Sequence, residues 1–162
     1  MTVLAVDTNI LLDVLIPNSD FVQASLDCLL QAGETSRLIV CETVFAELST
    51  QFPSVFTLRH FLDETGITLC PLSTAVLFSA GQAWKTYHGR TSRSKITCSR
   101  CGSKLNSSCS SCGYEVQVRQ HMVADFMIGA HALVAADGLI TRDRGFYRGY
   151  FEDLRLIVPG GQ

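Results

Sequence analysis

The chain has 162 residues, 47% of them hydrophobic and 17% charged, with a formal charge of −2. That length allows one domain with a proper core and at most a small extra module, and the composition excludes an intrinsically disordered chain. Seven cysteines, an odd number, argue against a disulfide framework.

The N-terminal stretch MTVLAVDTNILLDVLI is apolar, but it lacks a basic leader and is interrupted by Asp7 and Asp13. No small-residue cleavage site follows, so no leader peptide is expected. No other stretch approaches the roughly 18 apolar residues of a membrane span. The expectation is a protein with no membrane segment, located in the cytoplasm.

Within that stretch VLAV (3–6) reads as a buried strand ending at Asp7, and a helix is predicted over 8–15, broken by Pro17 and Asn18. FVQASLDCLLQAG has helical spacing and stops at Gly33, RLIVC is a second buried strand, and TVFAELSTQF and SVFTLRHFLDETG are two further helices. ITLC is a short strand, and residues 72–88 are helical again. After an interruption, helical pattern resumes near Gln120 and runs through HMVADFMIGAHALVAA; GLIT and RLIV are the last strands. Strands too apolar for a solvated face, alternating with helices, predict a mostly parallel sheet covered on both sides.

In open parallel sheets ligands bind beyond the carboxyl ends of the strands. Asp7 follows the first strand, Asp143 lies two residues beyond GLIT, Glu47 is on the helix after the second strand, and Asp125 is in the first turns of the helix after the interruption. These four acids can converge at one edge of the sheet. Taken singly, each has an ordinary reading, Asp7 as a helix cap and Glu47 as a solvated helix residue. Glu47 and Asp125, however, are embedded in apolar helix sequence, where solvated acids are out of place. Converging carboxylates repel unless a cation joins them, and oxygen ligands suit Mg²⁺ or Mn²⁺. Asn9 and Thr141 stand where they can hydrogen-bond such a site. No GxSxG, GxxxxGK[ST] or GxGxxG pattern is present. Asp13 is expected to face elsewhere, and Asp137 before Gly138 reads as turn chemistry.

VDTNILLD (6–13), ETVFAEL (42–48), ADFMIGAHAL (124–133) and LITRDRGFY (139–147) resemble, in order, the motifs of PIN-domain ribonucleases, and most closely the VapC-type toxins of prokaryotic toxin–antitoxin pairs. The resemblance covers nearly all of the chain outside the interruption. It implies a Rossmann-like α/β/α sandwich and metal-dependent RNA hydrolysis leaving a 5′-phosphate. Asp7, Glu47, Asp125 and Asp143 would be the acidic metal-binding quartet, supported by Asn9 and Thr141. The likeness also implies a small antitoxin protein as partner and, in many members, a homodimer.

The interruption, ITCSRCGSKLNSSCSSCGYE, holds Cys98, Cys101, Cys109 and Cys112 as two CxxC pairs, each followed by glycine. Four thiolates at that spacing form a closed structural zinc site, although iron uses the same spacing. Cys28, Cys41 and Cys70 read as ordinary core residues. The expected domains are a PIN unit of 1–92 and 119–162 with a zinc ribbon inserted at 93–118. Residues 85–119 carry seven basic side chains against Glu115, a net +6 that leaves −8 elsewhere. Arg90, Arg93 and Lys95 near the ribbon, and Arg142, Arg144 and Arg148 near Asp143, are candidate RNA contacts. The second group can equally pair with Glu152 and Asp153 on the surface. Tyr87, His88 and Tyr114 offer stacking surface for bases. Two further readings stay open beside the toxin: a housekeeping RNA-processing PIN nuclease, since zinc ribbons also accompany such domains, and a catalytically silent RNA- or protein-binding module.

Overall fold

The apolar runs near the start and end of the chain become the middle of a sheet. In the computed structural model, which describes residues 1–16, 20–90, 96–97, 104–105, 108, 110–113 and 122–160, β1 (Thr2–Val6), β2 (Ser36–Val40) and β6 (Gly138–Ile140) each present three consecutive buried residues. Successive strand side chains point to opposite faces, so such a run must be covered on both sides. With β3 (Ile67–Leu69) and β7 (Leu156–Ile157), these strands form one five-stranded sheet in the order β3-β2-β1-β6-β7. Every pairing in it is parallel.

The connecting helices are α1 (Thr8–Leu15), α2 (Val22–Thr35), α3 (Glu42–Leu48), α4 (Val55–Glu64), α5 (Thr74–Arg90), α6 (Val123–Ala135) and α7 (Arg144–Tyr150). None of them is long and apolar enough to cross a membrane. Four differ from the sequence reading, α2 in running on through Gly33 to Thr35. The helix expected over TVFAELSTQF is α3 followed by a 3-10 turn over Ser49–Gln51. The described part of the helix expected from Gln120 begins at Val123, with Asp125 bonded back to the start of the turn. Helix α7 was not anticipated at all. Its sequence, RGFYRGY, has two glycines in seven residues and so little intrinsic helix propensity. It forms because Phe146 and Tyr147 are buried in the core and Asp143 caps its first turn.

Helices α5, α6 and α7 are joined by an aromatic cluster. Phe126 of α6, fully buried, meets the rings of Trp84, Tyr87, Phe146 and Tyr150 at centroid distances of 4.9–5.5 Å. Tyr87 is therefore a core residue with 4% of its surface exposed, which corrects the expectation that it offers a base-stacking face. His88 packs edge-on against Trp84. Within the insertion, β4 (Ile96–Thr97) and β5 (Lys104–Leu105) pair antiparallel. Cys98, Cys101, Cys109 and the expected domain boundaries near 93 and 118 lie outside the described residues.

Gly129 lets α6 approach Phe151, for a Cβ there would lie 2.4 Å from the Phe151 ring. Phe151 is itself buried at the end of α7 and has little room to move. Gly129→Ala is expected to lower stability by about 1–3 kcal/mol despite the better helix propensity of alanine. Urea denaturation reads this directly, and an unchanged or raised midpoint would show that the helix contact is looser than described.

Candidate active site

The pairing of β1 with β6 brings the ends of two sequence-distant strands together, with the Asp7 amide donating to the Ile140 carbonyl at 3.0 Å. Asp7 and Thr141, the residues just past those ends, are both buried. Asp7 occupies the N-cap position of α1, yet its side chain makes no capping bond. Its Oδ2 instead accepts three hydrogen bonds, from the Thr141 hydroxyl at 2.6 Å, the Asn9 amide at 2.7 Å and the Tyr147 phenol at 3.2 Å. Burial pushes the Asp7 carboxyl up to about 6. The bonds from Thr141 and Tyr147 and the Thr8 backbone amide pull it back, while the charge of Asp125 adds a smaller upward push.

Tyr147 escaped the sequence reading, along with the helix that carries it. Its phenol is held well above the usual range, first by burial and then by the charges of Asp7 and Asp125, with Asp143 a smaller contributor. It is therefore a permanent donor to Asp7. Asp143 is linked to Asp7 through Thr141, and the charge of Asp125 on α6 bears on both Asp7 and Tyr147.

Asp143 is exposed and caps α7 by accepting from the Phe146 amide at 3.1 Å, while its own amide donates to the Thr141 hydroxyl oxygen at 3.0 Å. Asp125 is half-buried and accepts from the Met122 amide at 2.9 Å. Glu47, half-buried on α3, accepts from the hydroxyl of Thr8, the residue next to Asp7. Among the described residues, no group of three or more His, Cys, Asp and Glu side chains forms a ready metal site. The carboxylates are instead spread over hydrogen bonds. Their oxygen chemistry, and a buried Asp7 whose charge burial opposes and whose neighbour Asp125 is also acidic, are what a hard divalent cation would complement.

Arg142 departs from expectation, and the reason is Asp13. Asp13 is buried, and the Arg142 guanidinium forms a two-point ion pair with it at 2.8 and 2.9 Å. Arg142 is thus engaged by an acid that the sequence reading had set aside, neither reaching out freely nor pairing with Glu152 or Asp153. Its spacing gave no hint of this, because the pair joins residues 129 positions apart. Arg144 and Arg148 are exposed on α7. Arg93, Lys95 and the side chain of Arg90 lie outside the described residues. Asp137 holds the β1 backbone, accepting from the Val3 amide at 2.8 Å.

Because the folded carboxyl of Asp7 ionises near 6 rather than near 3.8, the folded protein keeps this proton to higher pH than the unfolded chain. Stability from this group is therefore full below pH 4 and is lost as pH rises through 6. In EDTA, Asp7→Asn is expected to raise stability at pH 7.5 by up to ~3 kcal/mol, and by little at pH 4. Thermal unfolding at the two pH values tests this; a variant less stable than wild type at pH 7.5 would contradict it.

No protein-family profile matches the sequence. No curated protein matches it either. Among solved structures, a chain in the crystal structure of VapBC2 from Rickettsia felis bound to a DNA fragment from their promoter is similar over 97% of this chain and 98% of that one, with a TM-score of 0.60 at 14% identity. At that identity the likeness speaks for the fold: a PIN-type α/β sandwich, as the sequence motifs imply.

Proposed function

We propose that this protein is a metal-dependent endoribonuclease, the toxin of a type II toxin–antitoxin pair. The observation that carries the reading is Asp7, a carboxylate buried at the end of the central strand, oriented by three donors and sharing its surroundings with Asp125 and Asp143. Asp7, Asp125, Asp143 and Glu47 would hold Mg²⁺ or Mn²⁺. The chemistry such an ion supplies is water of lowered pKa and neutralisation of charge on the phosphodiester. Thr141, Asn9 and Tyr147 fix the direction of the Asp7 carboxylate, and Thr8 that of Glu47. Arg144 and Arg148, exposed on α7 beside Asp143, are available to the RNA backbone.

The four-cysteine insert is proposed to bind one structural Zn²⁺ and to extend the RNA-binding surface. Two described features favour this. The β4–β5 pairing sets Thr97 opposite Lys104 on either side of the first CxxC, and Gly113 after the second has a φ of +71°, the left-handed backbone that a CxxCG turn suits. Its attachment points also favour a role at the site. The end of α5 packs through Trp84 and Tyr87 on Phe126, the residue next to Asp125, so the insert leaves and rejoins the fold beside the acids. A cognate antitoxin is the expected protein partner, because the similar solved structure is of a VapBC2 assembly. A homodimer and a cytoplasmic location belong to the same reading.

Purified protein with Mg²⁺ or Mn²⁺ is expected to cut total RNA, with EDTA abolishing the activity and Asp7→Asn reducing it by about 100-fold or more. No cleavage under any metal, with the fold intact and no inhibitor co-purified, would favour the silent binding module instead. Elemental analysis is expected to find one zinc per chain, lost in a Cys101→Ser/Cys112→Ser variant. Iron in its place, or no metal, would overturn the zinc assignment.

A further inference from the structure

Arg142 sits between Thr141 and Asp143, and both its backbone and its side chain are held by one helix. Asn9 and Asp13 are four residues apart on α1, hence one turn apart on one face. The Asn9 Oδ1 accepts from the Arg142 backbone amide at 3.3 Å. Asp13 takes the guanidinium at both oxygens, with Nη2 to Oδ1 at 2.9 Å and Nε to Oδ2 at 2.8 Å. The Ser25 hydroxyl on α2 donates to the same carboxylate at 2.7 Å, and the guanidinium lies 4.2 Å from the Phe21 ring centroid. A fork-on-carboxylate pair of this kind fixes direction as well as distance. What it fixes is the three-residue segment in which Thr141 donates to Asp7 and the Asp143 amide donates to Thr141.

We infer that Asp13 and Arg142 are positioning residues, a strut that sets Thr141 and Asp143 against Asp7 so that the acids can share one cation. The inference rests on the nuclease reading above. It assigns Arg142 a role other than gripping RNA, and it explains a buried acid beside the site that adds no free negative charge to it: its charge is met by the guanidinium with 5% of the Asp13 side chain exposed.

The test compares Mn²⁺ binding by calorimetry with RNA cleavage for wild type, Arg142→Lys, Arg142→Gln and the double variant Asp13→Asn/Arg142→Gln. Lysine keeps the charge but loses the fork and the ring contact. The double variant replaces the ion pair by an amide pair and guards against misfolding from an unpaired buried Asp13. The expected result is a Mn²⁺ Kd raised about 10- to 100-fold, a cleavage defect that excess Mn²⁺ repairs, and an unchanged KM for RNA. Folded variants that bind Mn²⁺ and cleave as wild type does would show that the pair only braces the fold. A raised KM with unchanged Mn²⁺ affinity would show that Arg142 touches RNA. Wild-type protein that neither binds Mn²⁺ nor cleaves would defeat the nuclease reading itself, and this inference with it.

Discussion

A carboxylate withdrawn from water needs donors or a cation around it, and much of this structure supplies that requirement at Asp7. The parallel pairing of β1 with β6 places Thr141 beside Asp7 across 134 residues of chain. The first turn of α1 contributes Asn9, and α7 contributes the Tyr147 phenol. Even with these donors the carboxyl ionises only near 6. The donors orient the group without fully compensating for its burial, and a neighbouring Asp125 works against it. A divalent cation, were one bound there, would relieve that opposition.

The sheet was legible because its central strands are buried on both faces and therefore read as uninterrupted apolar runs, VLAV, RLIV and GLI. The position of Asp7 at a strand end was legible for a related reason, since it follows such a run directly; Asp143 lies two residues beyond GLIT, and Glu47 and Asp125 stand in apolar helix sequence. Helix α7 was not legible. Its glycines oppose helix formation, and the burial of Phe146 and Tyr147 that overrides them is a tertiary effect. Tyr147 was lost with it. Tyr87 was misread because an aromatic residue in a basic stretch looks like a nucleic-acid contact until its neighbours are known; they are Trp84, Phe126 and Tyr150. The Asp13–Arg142 pair was invisible because no local pattern relates residues so far apart.

Acidic and thiol side chains stand at separate places in the chain. In the proposed reading, carboxylate oxygens at the strand ends would suit Mg²⁺ or Mn²⁺ and the insert's thiolates would suit zinc, so the two would not compete for one metal. The aromatic cluster around Phe126 joins the elements that flank the insert to those that carry Asp125 and Asp143. It packs the end of α5 against the start of α6, where Asp125 stands, and packs both against α7, whose N-cap is Asp143.

The most direct measurement is a crystal structure of the protein grown with Mn²⁺, with anomalous scattering used to locate the metal. A Mn²⁺ peak among Asp7, Asp125 and Asp143 is the predicted result, with the three donors still on Asp7. A well-ordered structure at high Mn²⁺ with no anomalous peak among these acids would contradict the metal-dependent nuclease.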